Sequence, residues 1–203
     1  MSRDAFIIKD PEVAKLLADP TRRDILHLLR HDEMSATDLA KALNKNHSSI
    51  TYHLNTMLGA GLIEVSREEK VRNMVQPYYR SVGHSYHVSY SLTEVLSRDP
   101  DYLAWQEELM DQLMQGLEEY GAEIPEARRA EARSLLRTCY LRDKKAYEDR
   151  LTKRRGKAEI SPHAARNVAH ILNHVQLLKD PEYMEAIRGL SAILEESREA
   201  DAA

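Results

Sequence analysis

Cysteine is almost absent from this sequence of 203 residues, which contains only Cys139. One cysteine excludes an intramolecular disulfide and a four-cysteine zinc site, and it fits a reducing compartment. Glycine and proline are also scarce, at seven each, which favours helices over sheet. No apolar run approaches the ~20 residues that a membrane-spanning helix needs. The first residues, MSRDAFIIKDPE, lack the apolar core of a signal peptide, so we expect a cytoplasmic protein without membrane association.

Recognisable catalytic motifs are missing as well. The sequence has no glycine-rich phosphate loop, no nucleophile elbow and no carboxylate pair in a familiar setting. We therefore expect neither an enzyme nor a cofactor. The hydrophobic fraction of 42% and the charged fraction of 31% are typical of a folded protein.

The net charge of −4 argues mildly against a nucleic-acid-binding protein, so the distribution of charge matters more than its sum. Residues 1–34 carry 6 Lys and Arg against 7 Asp and Glu, residues 35–82 carry 6 against 4, and residues 83–203 carry 17 against 22. Only the middle stretch is positive. The excess is small, and it gains meaning only if the same stretch contains a DNA-reading motif.

Short helices separated by strong turn signals are predicted for the first sixty residues. Aspartate followed by proline twice marks the start of a helix, and serine or threonine caps a third one. A fourth helix is predicted from about Ser48 to Ala60, with a glycine to end it. The signals, in chain order, are Asp10-Pro11, Asp19-Pro20, Ser35 or Thr37, the polar turn Asn44 to Asn46, and Gly61.

After Gly61 the spacing of apolar residues changes from that of a helix to that of a strand. Leu62 to Val65 and Tyr78 to Val82 read as two strands, and a charged stretch from Arg67 to Asn73 reads as a long polar loop between them. Two short helices, a polar turn, a helix and a hairpin follow one another in the order of a winged helix-turn-helix. That arrangement predicts binding to double-stranded DNA.

The fourth helix has the residues that such a role needs. Ile50, Leu54 and Met57 form its inner face, and the other side offers compact hydrogen-bond donors and acceptors that suit base edges in the major groove. Basic residues of the hairpin could hold the phosphate backbone or enter the minor groove. The predicted helix contacts are His47, Ser48, Ser49, Thr51, Tyr52, His53 and Asn55, and the predicted wing contacts are Arg67, Lys70, Arg72 and Asn73.

Everything after Asp99-Pro100 reads as amphipathic helix. We therefore predict a mainly α protein, with a winged helix-turn-helix domain at 1–83, a connecting segment at 84–100 and an all-helical dimerisation half at 101–203 that could bind a small-molecule effector. The last helix has an apolar stripe that either meets a second copy or folds back on its own chain. The predicted dimer contacts are Met184, Ile187, Leu190 and Leu194, with Leu16 and Leu17 of the first helix next in line.

The segments LADPTRRDILHLLR, MSATDLAKALNKNHSSITYHLNTMLGAGLIEV and PYYRSV together resemble the ArsR-type winged-helix regulators, over about residues 10–82. The second half, ending in DPEYMEAIRGLSAILEE, resembles an archaeal branch whose C-terminal helices extend the dimer. The resemblance implies a homodimer on a roughly palindromic operator, with His47 to Asn55 facing the groove and Arg67 to Asn73 in the wing. The function it implies is sequence-specific regulation of transcription, with repression as the expected output.

Three other signals carry less weight. His170 and His174 have the i,i+4 spacing of a metal site, but nine histidines give such pairs by chance, and the cysteine pair of metal-sensing relatives is missing from 35–43, so we expect no metal. Residues 126–157 carry 12 basic against 5 acidic residues. This segment either contacts phosphates or is a solvated face paired with nearby acids. Cys139 is expected to be a buried thiol.

Two other functions stay open at this point. A sequence-tolerant, chromatin-like DNA-binding protein would show a low specificity ratio and a steep dependence on salt. A winged-helix module that binds a protein of the transcription machinery would not bind free DNA. The small charge excess of 35–82 argues against the first function, and the polar face of the fourth helix argues against the second.

Overall fold

The computed structural model describes residues 5–71, 73–153 and 161–201, and it shows a mainly helical protein. The chain divides into two compact units, Met1–Ala104 and Trp105–Ala203. The first unit is a winged helix-turn-helix with a β-hairpin wing, and the second is all-helical, as the sequence predicts. None of the described helices is long and apolar enough to cross a membrane.

The described residues of the first unit form short helices and five strands, with one-turn 3₁₀ helices at Leu16–Ala18 and Tyr90–Leu92. Its helices are α1 (Pro11–Lys15), α2 (Pro20–Leu29), α3 (Ala36–Ala42), α4 (His47–Gly59) and α5 (Thr93–Leu96). Its strands are β1 (Phe6–Ile8), β2 (Met34–Ser35), β3 (Ile63–Val71), β4 (Met74–Ser81) and β5 (Tyr86–Val88). Strands β2, β4 and β3 form one antiparallel sheet in that order.

The predicted capping residues begin these helices. The Asp10 and Asp19 carboxylates accept backbone N–H groups in the first turns of α1 and α2. Ser35 and Asp38 form a reciprocal capping box at the start of α3, in which each side chain accepts the other residue's N–H. Gly61 lies just past α4 with φ +68°, a left-handed conformation that ends the helix and aims the chain into β3.

The hairpin differs from the prediction of a long polar loop. Strands β3 and β4 pair as far as Val71 and Met74, so paired strands take up most of the predicted loop. The charged residues from Arg67 to Lys70 lie on an exposed two-stranded ribbon, where their side chains stay in water while the backbone pairs. A shift of register between Val65 and Arg67 marks a bulge in β3.

The predicted connecting segment 84–100 is part of the first unit. Its strand β5 pairs in parallel with β1, with Phe6 opposite Tyr86 and Ile8 opposite Val88. Farther along, Leu96 is completely buried. Alternating apolar residues indicate an extended segment here, but they do not identify β1 as its partner strand.

One apolar core holds α4 in place within this unit. Helix α4 packs against α2, α3 and β3, and the largest fully buried side chains of these elements and of the residue before β3 are Ile25, Leu39, Ile50, Leu54, Met57, Leu62 and Ile63. Because α4 contributes three fully buried residues to this core, its opposite face is fixed toward solvent.

The second unit contains four helices in its described part, and the first of them starts before the boundary between the units. They are α6 (Pro100–Glu119), α7 (Arg129–Lys153), α8 (Pro162–Leu177) and α9 (Pro181–Asp201), with a 3₁₀ turn at Glu126–Arg128. Gly121 has φ +79° just beyond α6, and the Ser161 side chain caps α8 ahead of a proline.

Leu190, one of the predicted dimer contacts, is buried within its own chain. Helix α9 folds back on this chain, where Leu190 and Ile193 pack in one cluster with Met114 and Ala132. The Leu190 side chain is only 5% exposed, so it offers little surface to a second copy. The apolar side of α7 covers the stripe, which leaves Met184, Ile187 and Leu194 half-buried.

Leu17, another of the predicted dimer contacts, is buried within its own chain as well. Its side chain is 5% exposed, buried in the first unit, while that of Leu16 is half-buried. The 3₁₀ turn that follows α1 directs Leu17 inward. Arg22 and Arg23 donate to the carbonyl oxygens of this turn and hold it against α2.

Arginines on α7 tie this helix to its neighbours. Arg129 pairs with Glu118, and Arg133 pairs with Glu107 of α6 at 2.8 Å. Toward α9, Arg142 pairs with the Asp180 carboxylate. Much of the positive excess of 126–157 therefore neutralises acids of adjacent helices, not only acids nearby on α7. Residues 154–157 of this segment lie outside the described residues.

Candidate DNA-binding surface

Helix α4 presents a polar face to solvent because its apolar face is fully used in the core. Ile50, Leu54 and Met57 have no exposed surface. Five of the predicted contacts lie on the exposed side, and they are His47, Ser48, Ser49, Tyr52 and Asn55. Tyr52 is 62% exposed, a large value for an aromatic side chain in a folded domain.

Thr51 lies at the edge of this polar face and is half-buried. Its hydroxyl donates to the His47 carbonyl oxygen one turn back, at 2.9 Å. The oxygen keeps acceptor capacity, and its methyl group could contact a base.

The structure contradicts the prediction that His53 faces outward. Its side chain is buried, and Nδ1 lies 3.7 Å from an Asp19 carboxylate oxygen. Positions 50, 53, 54 and 57 have the i, i+3, i+4, i+7 spacing of one helix face, so the phase of the helix turns His53 inward. Burial lowers the pKa of His53, with Arg22 and Lys45 acting in the same direction and Asp19 against them.

The start of α4 is less covered than the starts of its neighbours. The N-cap residue Asn46 makes no side-chain capping hydrogen bond, whereas Asp19 and Ser35 cap α2 and α3. The first N–H groups of an uncapped helix are available to an anion. Because Ser48 and Ser49 are exposed in this same turn, hydroxyl and N–H donors together suit a DNA phosphate.

The wing residue Arg67 is held by acids in the free protein. Its Nε donates to Glu33 at 3.1 Å, and its Nη1 donates to Glu69. The guanidinium carbon lies 3.7 Å from the centre of the Tyr78 ring. Arg67 can therefore reach a phosphate only by exchanging these partners. Glu33 lies 34 residues away in sequence, so no local pattern could have indicated this pair.

Lys70 and Asn73, two of the predicted wing contacts, are exposed near the tip of the wing, and Arg72 lies outside the described residues. Among the described residues of the hairpin, Lys70 carries a charge that no carboxylate neutralises. Met74 and Val75 are not among the predicted contacts, yet they are 74% and 61% exposed beside it. The tip therefore combines a free cation with an apolar surface.

His170 and His174, the weakest of the candidates, lie on α8 with ring centroids 4.4 Å apart. His174 Nδ1 is 3.0 Å from the His170 carbonyl oxygen. Within the described ranges, no group of three His, Cys, Asp or Glu side chains could hold a metal ion.

Comparison with known proteins points to the same part of the chain. Residues 17–66, which run from the first 3₁₀ turn into β3, match the family described as helix-turn-helix domain. The chain is 43% identical over 56 residues to the transcriptional repressor SdpR of Bacillus subtilis, which is 28% of this chain and 62% of that protein. The chain thus spans less than two thirds of this relative.

Solved structures with detectable similarity include two mycobacterial proteins. One is the homodimeric winged helix-turn-helix DNA-binding domain of a possible ArsR-family regulator from Mycobacterium bovis, with 32% identity, a TM-score of 0.31, and coverage of 35% of this chain and 61% of that one. The other is Rv0081 of M. tuberculosis, with 23% identity, a TM-score of 0.31, and coverage of 50% and 90%.

Proposed function

We propose that the protein is a cytoplasmic, sequence-specific DNA-binding regulator of transcription that acts as a repressor. The observation that carries this proposal is the exposed polar face of α4, where His47, Ser48, Ser49, Tyr52 and Asn55 lie opposite a fully buried apolar face. A helix of this kind fits the major groove, where compact polar side chains distinguish base pairs. Residues 17–66, which include α4, match the helix-turn-helix family, and the chain is 43% identical over 56 residues to a transcriptional repressor.

Besides the polar face of α4, two places would contact the DNA phosphate backbone: the uncapped start of α4 and the wing. The N–H and hydroxyl groups at Ser48 and Ser49 would hold one phosphate, and Lys70 on the wing would hold another. These contacts set the position of α4 along the duplex and carry little sequence information. The readout of base sequence is left to the side chains of α4.

A homodimer would place two copies of α4 on one face of DNA. Half-sites about 34 Å apart, one turn of the duplex, would then form a roughly palindromic operator. Bound there, the dimer would block access to a promoter. A small-molecule effector, if one binds, would act by favouring a dimer in which this spacing is wrong.

Selection of bound sequences from a random DNA pool tests the proposal. The expected result is enrichment of one sequence with two inverted half-sites about 10 base pairs apart, centre to centre. Enrichment of any DNA without a shared sequence would indicate the chromatin-like alternative. Failure to retain DNA at all would contradict the proposal and favour a protein-binding module.

A further inference from the structure

Helix α8 carries an apolar stripe that faces solvent from Val168 to the C-terminal end of the helix. The stripe consists of Val168, Ile171, Leu172, Val175 and, directly after the helix, Leu178. These side chains are 49%, 60%, 51%, 45% and 66% exposed, respectively. Scattered exposed aliphatic residues are ordinary, but a continuous stripe of five on one helix marks an interaction surface.

The opposite side of α8 binds its own chain through polar contacts. Arg150 of α7 donates to the Ala169 carbonyl oxygen and, at 2.8 Å, to Asn173 Oδ1. Asn173 in turn donates to Asp143 of α7. Among the side chains of α8 that the structure describes, Leu177 is the one large apolar residue that is buried. The helix thus has its polar side toward its own chain and its apolar side toward solvent. A surface helix of a globular protein normally has the opposite orientation.

The apolar residues of the stripe have the same spacing when the helix is read in either direction, so the stripe can pair with the stripe of a second, antiparallel copy. Val168, Ile171, Val175 and Leu178 are separated by three, four and three residues, so the order is the same from either end. This spacing is that of a and d positions in a heptad seam. When two copies of α8 run antiparallel about a two-fold axis, Val168 meets Leu178 and Ile171 meets Val175, with Leu172 beside the axis.

Charge and area also fit a second copy of this chain. Between Pro162 and Leu177 the only residue with a fixed charge is Arg166, which does not belong to the stripe, so two copies can approach without repulsion. The exposed area of the five side chains is on the order of 500 Å². A standard interface covers about 800 Å² on each partner, of which the core is more than half apolar. The stripe therefore provides the apolar core of one such interface.

We propose that the α8 stripe is the subunit interface of a homodimer, formed by antiparallel pairing of two copies of α8. This inference rests on the homodimer of the proposed function and names the surface that forms it. We prefer the α8 stripe to the α9 stripe as the dimer interface, because α7 covers the α9 stripe within the same chain.

Sedimentation of the full-length chain without DNA separates this inference from the proposed function. Wild type should be a dimer at micromolar concentration, and Ile171→Glu with Val175→Glu should be a folded monomer with the same helical content. The control His163→Glu with His170→Glu adds the same two charges on exposed positions of α8 off the stripe, and it should stay dimeric. A monomeric wild type, or a stripe variant that remains dimeric, would overturn the interface whatever the DNA experiments show.

Cross-linking between two copies of α8 tests the direction of pairing. In a Cys139→Ser background, Val168→Cys with Leu178→Cys should give a covalent dimer on mild oxidation, because these positions meet between copies. Val168→Cys alone should stay uncross-linked, since antiparallel pairing keeps the two copies of position 168 apart. Efficient cross-linking of the single variant would overturn the antiparallel arrangement. Loss of DNA binding with an intact cross-link would contradict only the proposed function.

Discussion

The Arg142 guanidinium on α7 holds the Asp180 carboxylate at the start of α9, with Nε 2.7 Å from Oδ2. The other oxygen of Asp180 accepts the Tyr183 N–H at 3.1 Å. One carboxylate therefore caps α9 and fixes it to α7. Both side chains are largely buried, at 16% and 17% exposed, so water screens the pair only weakly.

Asp180→Ala should lower the free energy of unfolding by about 2–4 kcal/mol, because it removes the cap and leaves Arg142 partly buried without its main partner. Asp180→Asn should cost less, since an asparagine oxygen can still accept the Tyr183 N–H. Urea unfolding measures both. The control is Glu182→Ala. Glu182 is the second acid paired with Arg142, and its side chain is 66% exposed, so its loss should lower the free energy of unfolding by less than about 1 kcal/mol. Equal losses for Asp180 and Glu182 would contradict this account.

His53 should make the first unit sensitive to mild acid. Burial lowers its pKa in the folded state, so the unfolded chain binds the proton more readily. The stability that neutral His53 provides is fully present above the unfolded pKa of about 6.5, and it is lost as the pH falls below that value. His53→Met should remove this dependence in unfolding experiments at several pH values. The exposed control His47→Gln should keep it, and an unchanged pH profile for His53→Met would show that His53 is not the group responsible.

The wing should bind DNA more tightly when Arg67 is released from its acids. Glu69→Gln removes one partner, so we expect higher affinity for any DNA and a log–log salt slope that is steeper by up to about one unit. The control Glu68→Gln makes the same change of charge at an adjacent exposed position, and it should have a smaller effect. Lys70→Ala should lower affinity and reduce the slope. Identical effects of the two glutamine variants would show that net charge alone matters.

Gly83 allows the close approach of β1 to the chain that follows the wing. A Cβ at this position would lie 2.9 Å from Phe6 Cβ and 3.3 Å from the Ser85 carbonyl oxygen. Gly83→Ala should therefore destabilise the protein by about 1–3 kcal/mol in thermal or urea unfolding. Gly116→Ala is the control, because a Cβ there meets nothing within 4 Å and alanine favours the α6 helix. A Gly83→Ala variant as stable as wild type would contradict the pairing of β1 with β5.

The sequence was most informative where structure depends on neighbouring residues. Helix caps at Asp19 and Ser35, the turn at Gly61 and the order of elements in the first unit follow from local chemistry. For His53, polarity predicts an exposed side chain, whereas the helical phase places it with Ile50 and Met57 on the buried face, as the structure shows.

Other features depend on contacts between distant residues. Helices α8 and α9 both carry apolar stripes, and nothing in either stripe shows that α7 covers Leu190 and leaves Ile171 exposed. The ion pair of Arg67 with Glu33 likewise forms only when β3 passes near the end of α2. Pairing of this kind is a property of the tertiary structure, which local patterns do not encode.

The most direct test of the account is the affinity of α4 variants for the DNA sequence enriched by selection, measured by fluorescence anisotropy. Ser49→Ala with Tyr52→Ala should weaken binding by about 1–3 kcal/mol for each side chain that touches a base, with unchanged helical content. The control Ser134→Ala with Tyr120→Ala removes the same side-chain types from exposed positions of the second unit, and it should bind as wild type does. A variant of α4 that binds the selected DNA as tightly as wild type would contradict the assignment of this helix to the major groove.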